Sequence, residues 1–143
     1  LAHARYMVGE RSVSLNDLEM PMFMVSTERD HVSPWRSVYK LHRLTDAEIT
    51  FVLTSGGHNG GIVAEPGRGN RRYRIATRAA HARWVGADHW LQAAESHEGS
   101  WWPAWQAWLA AHSSAPVKAR PIPASHALSD APGEYVMQRY PGE

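Results

Sequence analysis

A chain of 143 residues with 43% hydrophobic content can bury one modest core and is too short for two. Its net charge of +1 and scattered basic residues exclude the electrostatic footprint of a nucleic-acid or anionic-membrane protein, and no apolar run is long enough for a transmembrane segment. The absence of cysteine excludes disulfides and thiolate metal sites, while seven Trp and nine His point to a broad, partly buried aromatic surface or an interface.

In chain order, residues 1–9 read as a short helical stretch capped by Gly9, and the start at Leu1, without Met, reads as a cut. Val13 and Leu15 alternate with polar residues before a turn at Asn16–Leu18. Met22–Thr27 and Ile49–Ser55 are short runs rich in β-branched and aromatic residues, bounded by Pro, Asp and Gly, as strands buried on both faces should be. Between them Ser33 and Pro34 suit an N-cap and first helical residue, and Trp35, Val38, Leu41 and His42 continue a helical spacing. A crossover of this kind makes the two strands parallel. Ligands of open parallel sheets collect at the carboxyl ends of the strands, and Asp30 and His58 fall just beyond those ends.

Further along, Gly60–Gly61 and Pro66–Gly69 punctuate a loop. Tyr73, Ile75 and Thr77 alternate with Arg72, Arg74 and Arg78, the pattern of an edge strand or hairpin with a solvated basic face. Asp88 is placed to cap a helix running through Leu91 and Ala94, broken at Gly99–Ser100. Pro103 marks the start of another, on which Trp105, Trp108, Leu109 and His112 form one apolar stripe, the pattern of core or subunit contact. From Ser113 the chain is rich in Pro, Ser and Ala. The sequence therefore predicts an α/β unit over residues 1–112, with short parallel strands, flanking helices and a Trp-rich C-terminal helix, followed by an extended tail over 113–143.

The chemistry centres on His58, in the run SGGHNGG, whose glycines free the backbone and open the imidazole to a cleft. A carboxylate such as Asp30 on one ring nitrogen would fix the tautomer and leave the other nitrogen as a base. Acid then histidine, late in a chain, is the triad order of α/β-hydrolases, in which the nucleophile comes earlier. The chain has no G-x-S-x-G or G-x-C-x-G elbow, and Ser33, Ser37 and Ser55 occupy no such turn. A rival assignment places Asp30, His31 and His58 around zinc or iron. Against it, there is no short-spaced histidine pair, and neighbours on an extended loop point apart. His3, His81, His89, His97 and His126 have no evident partner.

The blocks TERDHVSPWRSVYKL, SGGHNGGIV, GSWWPAW and APGEYV occur in this order, with His58 placed 28 residues after Asp30. Together they resemble the C-terminal part of poly(3-hydroxyalkanoate) synthases. The resemblance covers nearly all of this chain and about the last quarter of a family member. It implies the C-terminal portion of an α/β-hydrolase fold, incomplete over 1–112, in an acyltransferase that polymerises 3-hydroxyacyl-coenzyme A at a Cys–His–Asp triad. On that resemblance Asp30 is the triad aspartate, His58 the triad histidine and His31 a supporting neighbour, while GSWWPAW and APGEYV are structural. The cysteine, the oxyanion-hole donors and a cap domain would lie upstream of Leu1, so this chain alone is expected to be inactive. No cofactor or metal is expected; the coenzyme A thioester and the growing polyester are the partners, with no nucleic acid. The family implies a cytoplasmic protein at the polymer granule surface. An unpaired sheet edge would favour a homo-oligomer. The competing functions are a non-catalytic granule- or partner-binding module, signalled by an exposed patch at Trp101, Trp105 and Trp108, and the Asp–His half of an esterase.

Overall fold

The structure, a computed structural model, describes residues 4–124 and 127–139. The chain divides into two units, Leu1–Ser113 and Ser114–Glu143.

The first unit opens on a hairpin of β1 (Tyr6–Val8) and β2 (Arg11–Val13) rather than the helical stretch its sequence suggests. Gly9, at φ +58°, turns the chain between the two strands instead of capping a helix. Ser14 then starts a 3₁₀ turn over Leu15–Asp17, where its hydroxyl accepts from Asn16 N–H while Asp17 reaches back to Ser14 N–H. Residues 1–3, His3 among them, lie outside the described part of the chain.

The core forms where expected. β3 (Met22–Arg29) and β4 (Ile49–Gly57) pair in parallel, in register from Met22 opposite Ile49 to Thr27 opposite Thr54. They are joined by α1 (Trp35–Val38), which tightens into a 3₁₀ turn over Tyr39–Arg43. The N-cap position falls on Pro34, one residue later than the sequence suggests, and no side chain caps it; Ser33 lies just outside the helix and donates its backbone N–H to Asp30. Side chains of β4 alternate between two cores. On one face Ile49, Phe51 and Leu53 pack with Trp35, Tyr39 and Trp90; on the other Val52 meets Ala64 and Trp101. Phe51 sits at the centre of the first cluster, edge-on to Tyr39 at 5.2 Å and to Trp90 at 4.9 Å between ring centroids.

The sheet is mixed and four-stranded, in the order β3, β4, β5 (Arg72–Arg78), β6 (Glu95–Glu98), the last two pairings antiparallel. β5 is thus an interior strand, not an edge, and its arginines are not simply solvated. Arg78 donates to the carbonyls of His42, Thr45 and Ala47 at 3.1, 2.8 and 2.7 Å, and Arg74 donates to Ala94 O at 3.1 Å. These bonds close the loop entering β4 onto the sheet. β3 is left with one unpaired side among the described residues.

Two further helices cover the faces. α2 (Ala87–Ala93) begins at Gly86, with no side-chain cap; Asp88 lies in its first turn and pairs with Arg36. α3 (Trp102–Ala111) carries Pro103 in its first turn, near the start its sequence predicts. Its tryptophan stripe splits: Trp108 packs its ring 5.6 Å from Phe23, whereas Trp105 and Leu109 are 42% and 40% exposed; Trp101, just before the helix and outside the stripe, is 6% exposed. The second unit contains no strand among its described residues and includes a 3₁₀ turn at Tyr135–Met137; His126 lies outside the described residues. Among the described residues no helix is long and apolar enough to cross a membrane.

Candidate active site

The carboxyl ends of β3 and β4 bring Asp30 and His58 together. His58 Nδ1 lies 2.8 Å from Asp30 Oδ2. The other carboxylate oxygen, Oδ1, accepts the backbone N–H groups of Val32 at 2.9 Å and Ser33 at 2.8 Å. The chain turns back over its own aspartate here, as Asp side chains promote. Ser33, which its sequence marks as a helix cap, therefore serves the site through its backbone. The Ser33 N–H, with the His58 imidazole next in weight, holds the Asp30 carboxyl below its ordinary value. Asp30 is consequently ionised at neutral pH and accepts from Nδ1–H, which leaves the lone pair on Nε2. The Asp30 side chain is 9% exposed and that of His58 is 47% exposed, so the acid is enclosed while the base is open to a reactant.

A defect in strand pairing aims the histidine. Between Thr27 opposite Thr54 and Arg29 opposite Gly57, β4 uses one residue more than β3. This bulge includes Gly56, at φ +114°, a conformation closed to side-chain-bearing residues. Beyond it, Gly61 N–H bonds back to Gly57 O at 2.9 Å. A Cβ on Gly61 would stand 2.9 Å from Thr27 Cβ and 3.1 Å from Ser55 O, so only glycine lets the loop lie flat on β3.

Two tryptophans hold the same loop from outside: Trp101 Nε1 donates to Gly61 O at 3.3 Å and Trp102 Nε1 to Ile62 O at 3.0 Å. Their part in the site is not visible from their spacing. The available signal is chemical, because a buried indole N–H needs an acceptor, and the glycine loop has carbonyls to offer.

His31 is exposed and makes no hydrogen bond or ion pair among the described residues. The rival metal assignment needs His31 beside His58 and Asp30, and among the described residues no three His, Cys, Asp or Glu side chains come together to hold an ion. Ser55 is buried, its hydroxyl accepting from Arg72 N–H at 3.2 Å, and so does not face the histidine as a nucleophile. What remains is an acid/base pair: a carboxylate that orients an imidazole whose free nitrogen can take a proton from an incoming thiol or hydroxyl.

The relatives of this chain share one described activity. It is 36% identical over 139 residues to the poly(3-hydroxyalkanoate) polymerase subunit PhaC of Rhizobium etli, covering 92% of this chain and 20% of that protein. This chain is homologous to a segment of the poly(3-hydroxyalkanoate) polymerases. The polymerase of Methylorubrum extorquens matches at 34% identity over 97% of this chain and 23% of its own length, and the PhaC subunit of Cupriavidus necator at 32% over 89% and 21%. The chain thus spans about a fifth of the length of the curated polymerases it matches. No protein-family model matches it.

Proposed function

We propose that this chain is the C-terminal portion of a polyhydroxyalkanoate-forming acyltransferase and supplies the histidine and aspartate of its Cys–His–Asp triad. The observation that carries the proposal is the 2.8 Å contact of His58 Nδ1 with Asp30 Oδ2 at adjacent parallel strand ends, in a homologue of the polymerases. His58 Nε2 takes the proton of a cysteine outside these 143 residues, the thiolate attacks the carbonyl of a 3-hydroxyacyl-coenzyme A, and the acyl–sulfur bond to coenzyme A breaks as His58 returns the proton to the departing thiolate. The same nitrogen then serves the 3-hydroxyl group that attacks the acyl-enzyme and lengthens the polyester. Asp30 keeps the imidazole in the required tautomer and balances the imidazolium. With no cysteine of its own, the chain alone carries no acyl group and releases no coenzyme A. In the full protein the work would be done in the cytoplasm at the granule surface.

The test is a chimera in which this chain replaces its matching segment in the Rhizobium etli polymerase, with coenzyme A release from 3-hydroxybutyryl-coenzyme A as the readout. The chimera should turn over, the His58→Ala chimera should lose about 10³-fold or more, and the isolated chain should give background only. Turnover by the His58→Ala chimera equal to its parent would refute the assignment. A second reading, a contact surface for granule or partner, calls for exposure of Trp101, Trp105 and Trp108 together. Trp101 is buried and Trp108 packs on Phe23, so only Trp105, with Leu109, Trp102 and Pro66 at an exposed groove of about 260 Å³, favours it. It is compatible with the first.

A further inference from the structure

The loop that carries His58 also holds a reactive dipeptide. Of the asparagines in the chain, Asn59 alone is followed by glycine; Asn16 precedes Asp17 and Asn70 precedes Arg71. Packing and backbone geometry account for the glycines at 56 and 61 but not for Gly60. A Cβ there would meet only Arg71 Nη2, at 3.9 Å, and the residue has no positive φ. What the absent side chain does is leave the Gly60 nitrogen unshielded beside the Asn59 carboxamide. Both residues are exposed. Among the described residues, the carboxamide makes no hydrogen bond and the Gly60 N–H has no acceptor.

The fold favours the reactive form of that nitrogen. When the Gly60 N–H loses its proton, the negative charge spreads onto the carbonyl oxygen of the same peptide unit, Asn59 O. This oxygen accepts the N–H groups of Ile62 and Val63 at 3.1 and 3.0 Å. The Arg71 guanidinium lies along the same glycine run and forms no ion pair among the described residues. Hydrogen bonds to a charged form and a neighbouring opposite charge both stabilise it.

We infer that Asn59 is a self-modification site, at which the Gly60 nitrogen attacks the Asn59 side chain and converts it to aspartate or isoaspartate. The bond from Gly60 N to Asn59 Cγ forms as the bond from Cγ to the amide nitrogen breaks. That nitrogen departs as ammonia with the proton lost from Gly60. Water then opens the cyclic imide at either carbonyl, giving aspartate in one case and isoaspartate in the other, where the main chain runs through the former side chain and is one carbon longer. In the isoaspartate product Asn59 O belongs to a free carboxylate, so the bonds from Ile62 and Val63 no longer close the turn. Either product places a new carboxylate next to His58. The modification does not depend on the acyl-transfer proposal; its cost to turnover does.

The experiment is incubation of the purified, folded chain in mildly alkaline buffer at physiological temperature, with each asparagine followed by peptide mass mapping and isoaspartate counted by enzymatic methylation. Conversion of Asn59, seen as exchange of NH for O, with Asn16 and Asn70 intact, is expected. Gly60→Ala should slow it by about tenfold or more, because the added methyl crowds the attacking nitrogen. In the folded chain Arg71→Gln should slow it by about threefold or more, Arg71→Lys should react like the parent, and all three should react alike in urea. An intact Asn59 in the folded chain, or equal rates for the parent and Gly60→Ala, would overturn the site. An Arg71→Gln rate equal to the parent's would overturn the part given to Arg71. In the chimera, turnover should fall with the fraction of Asn59 converted and hold over the same period in the Gly60→Ala chimera; conversion with undiminished turnover would overturn its bearing on the acid/base pair. An active His58→Ala chimera alongside conversion at Asn59 would sink the acyl-transfer proposal and leave the modification standing.

Discussion

The glycine loop allows a controlled steric experiment at neighbouring positions. A methyl group on Gly60 meets nothing nearer than Arg71 Nη2 at 3.9 Å, the end of a flexible side chain. On Gly61 it overlaps Thr27 Cγ2 and stands 2.9 Å from Thr27 Cβ and 3.1 Å from Ser55 O. Thr27 cannot yield: it is 1% exposed, β-branched and fixed in the β3–β4 ladder opposite Thr54. Gly61→Ala should therefore cost about 1–3 kcal/mol, as overpacking of a buried site does, whereas Gly60→Ala should be neutral or gain up to about 1 kcal/mol by restricting the unfolded chain. At a urea dependence of about 1.5 kcal/mol/M, the two variants should differ by about 1 M or more in unfolding midpoint. Tryptophan fluorescence follows the transition directly, with Trp35, Trp90 and Trp101 in the buried clusters. Equal midpoints for the two variants would refute the close packing of loop on strand. So would a Gly61→Ala chain whose His58 ring resonances match those of the parent.

Three further outcomes follow from the same structure. His42 is buried against Tyr39 and Phe51 with neither ring nitrogen hydrogen-bonded, and burial, helped by the Arg78 charge, lowers its pKa to about 4. The unfolded chain then takes up this proton near pH 6.5 and the folded chain only near 4, so on the order of 2–3 kcal/mol of stability should disappear as pH falls across that window, and His42→Phe should abolish most of the loss in urea titrations. Asp30 acts at lower pH: because Ser33 N–H and His58 lower its folded pKa, its contribution is complete above the ordinary value of 3.8 and is lost as pH falls through the lowered one, so Asp30→Asn should flatten the acid limb of stability below about pH 4 while leaving the His42 window unchanged. Trp101→Phe removes the donor to Gly61 O and part of a buried ring, at an expected cost of about 1–2 kcal/mol, and should shift the amide resonances of Asn59 and Gly61 more than those of Val32 and Ser33.

How far the sequence carries depends on what each segment must bury. β3 and β4 are legible because they face two cores, and only apolar, β-branched runs can do so. Asp30 and His58 are legible as a pair because the parallel crossover fixes which strand ends share a side of the sheet. β6 is not: Glu-Ser-His-Glu has no apolar periodicity, and its place is set by the free edge that β5 offers. The hairpin at Tyr6–Val13 is hidden for the opposite reason, since its large residues remain exposed and carry no burial pattern. Arg78 looks like a surface charge in a β alternation, yet it bonds three carbonyls from the segment around 42–47, a role that depends on a chain approaching from elsewhere. The strand bulge at Ser55–Gly56 is likewise tertiary information: two adjacent glycines allow it, but the partner strand decides where the extra residue falls.

The two halves of the acid/base pair are supported in different ways. Asp30 is held by Val32 and Ser33, both within three residues of it, so its orientation is a property of a local turn. His58 depends on contacts made at a distance: the bulge against β3, the Thr27 surface beneath Gly61, and the indole donors of Trp101 and Trp102 some forty residues on. Disturbing the helix or the glycine loop should therefore move the base and leave the acid in place. Asp30 bonded through both oxygens is a fixed reference, and the reach of His58 Nε2 toward a reactant is set by how tightly the loop is pinned to the sheet. Under the proposed function Trp101 and Trp102, whose block carries a structural assignment by resemblance, are positioning residues for the base. Even a modest substitution at Trp101 should then reduce acyl transfer in the chimera by more than its cost in stability accounts for, because a base displaced by about 1 Å can lose about 10²-fold in rate.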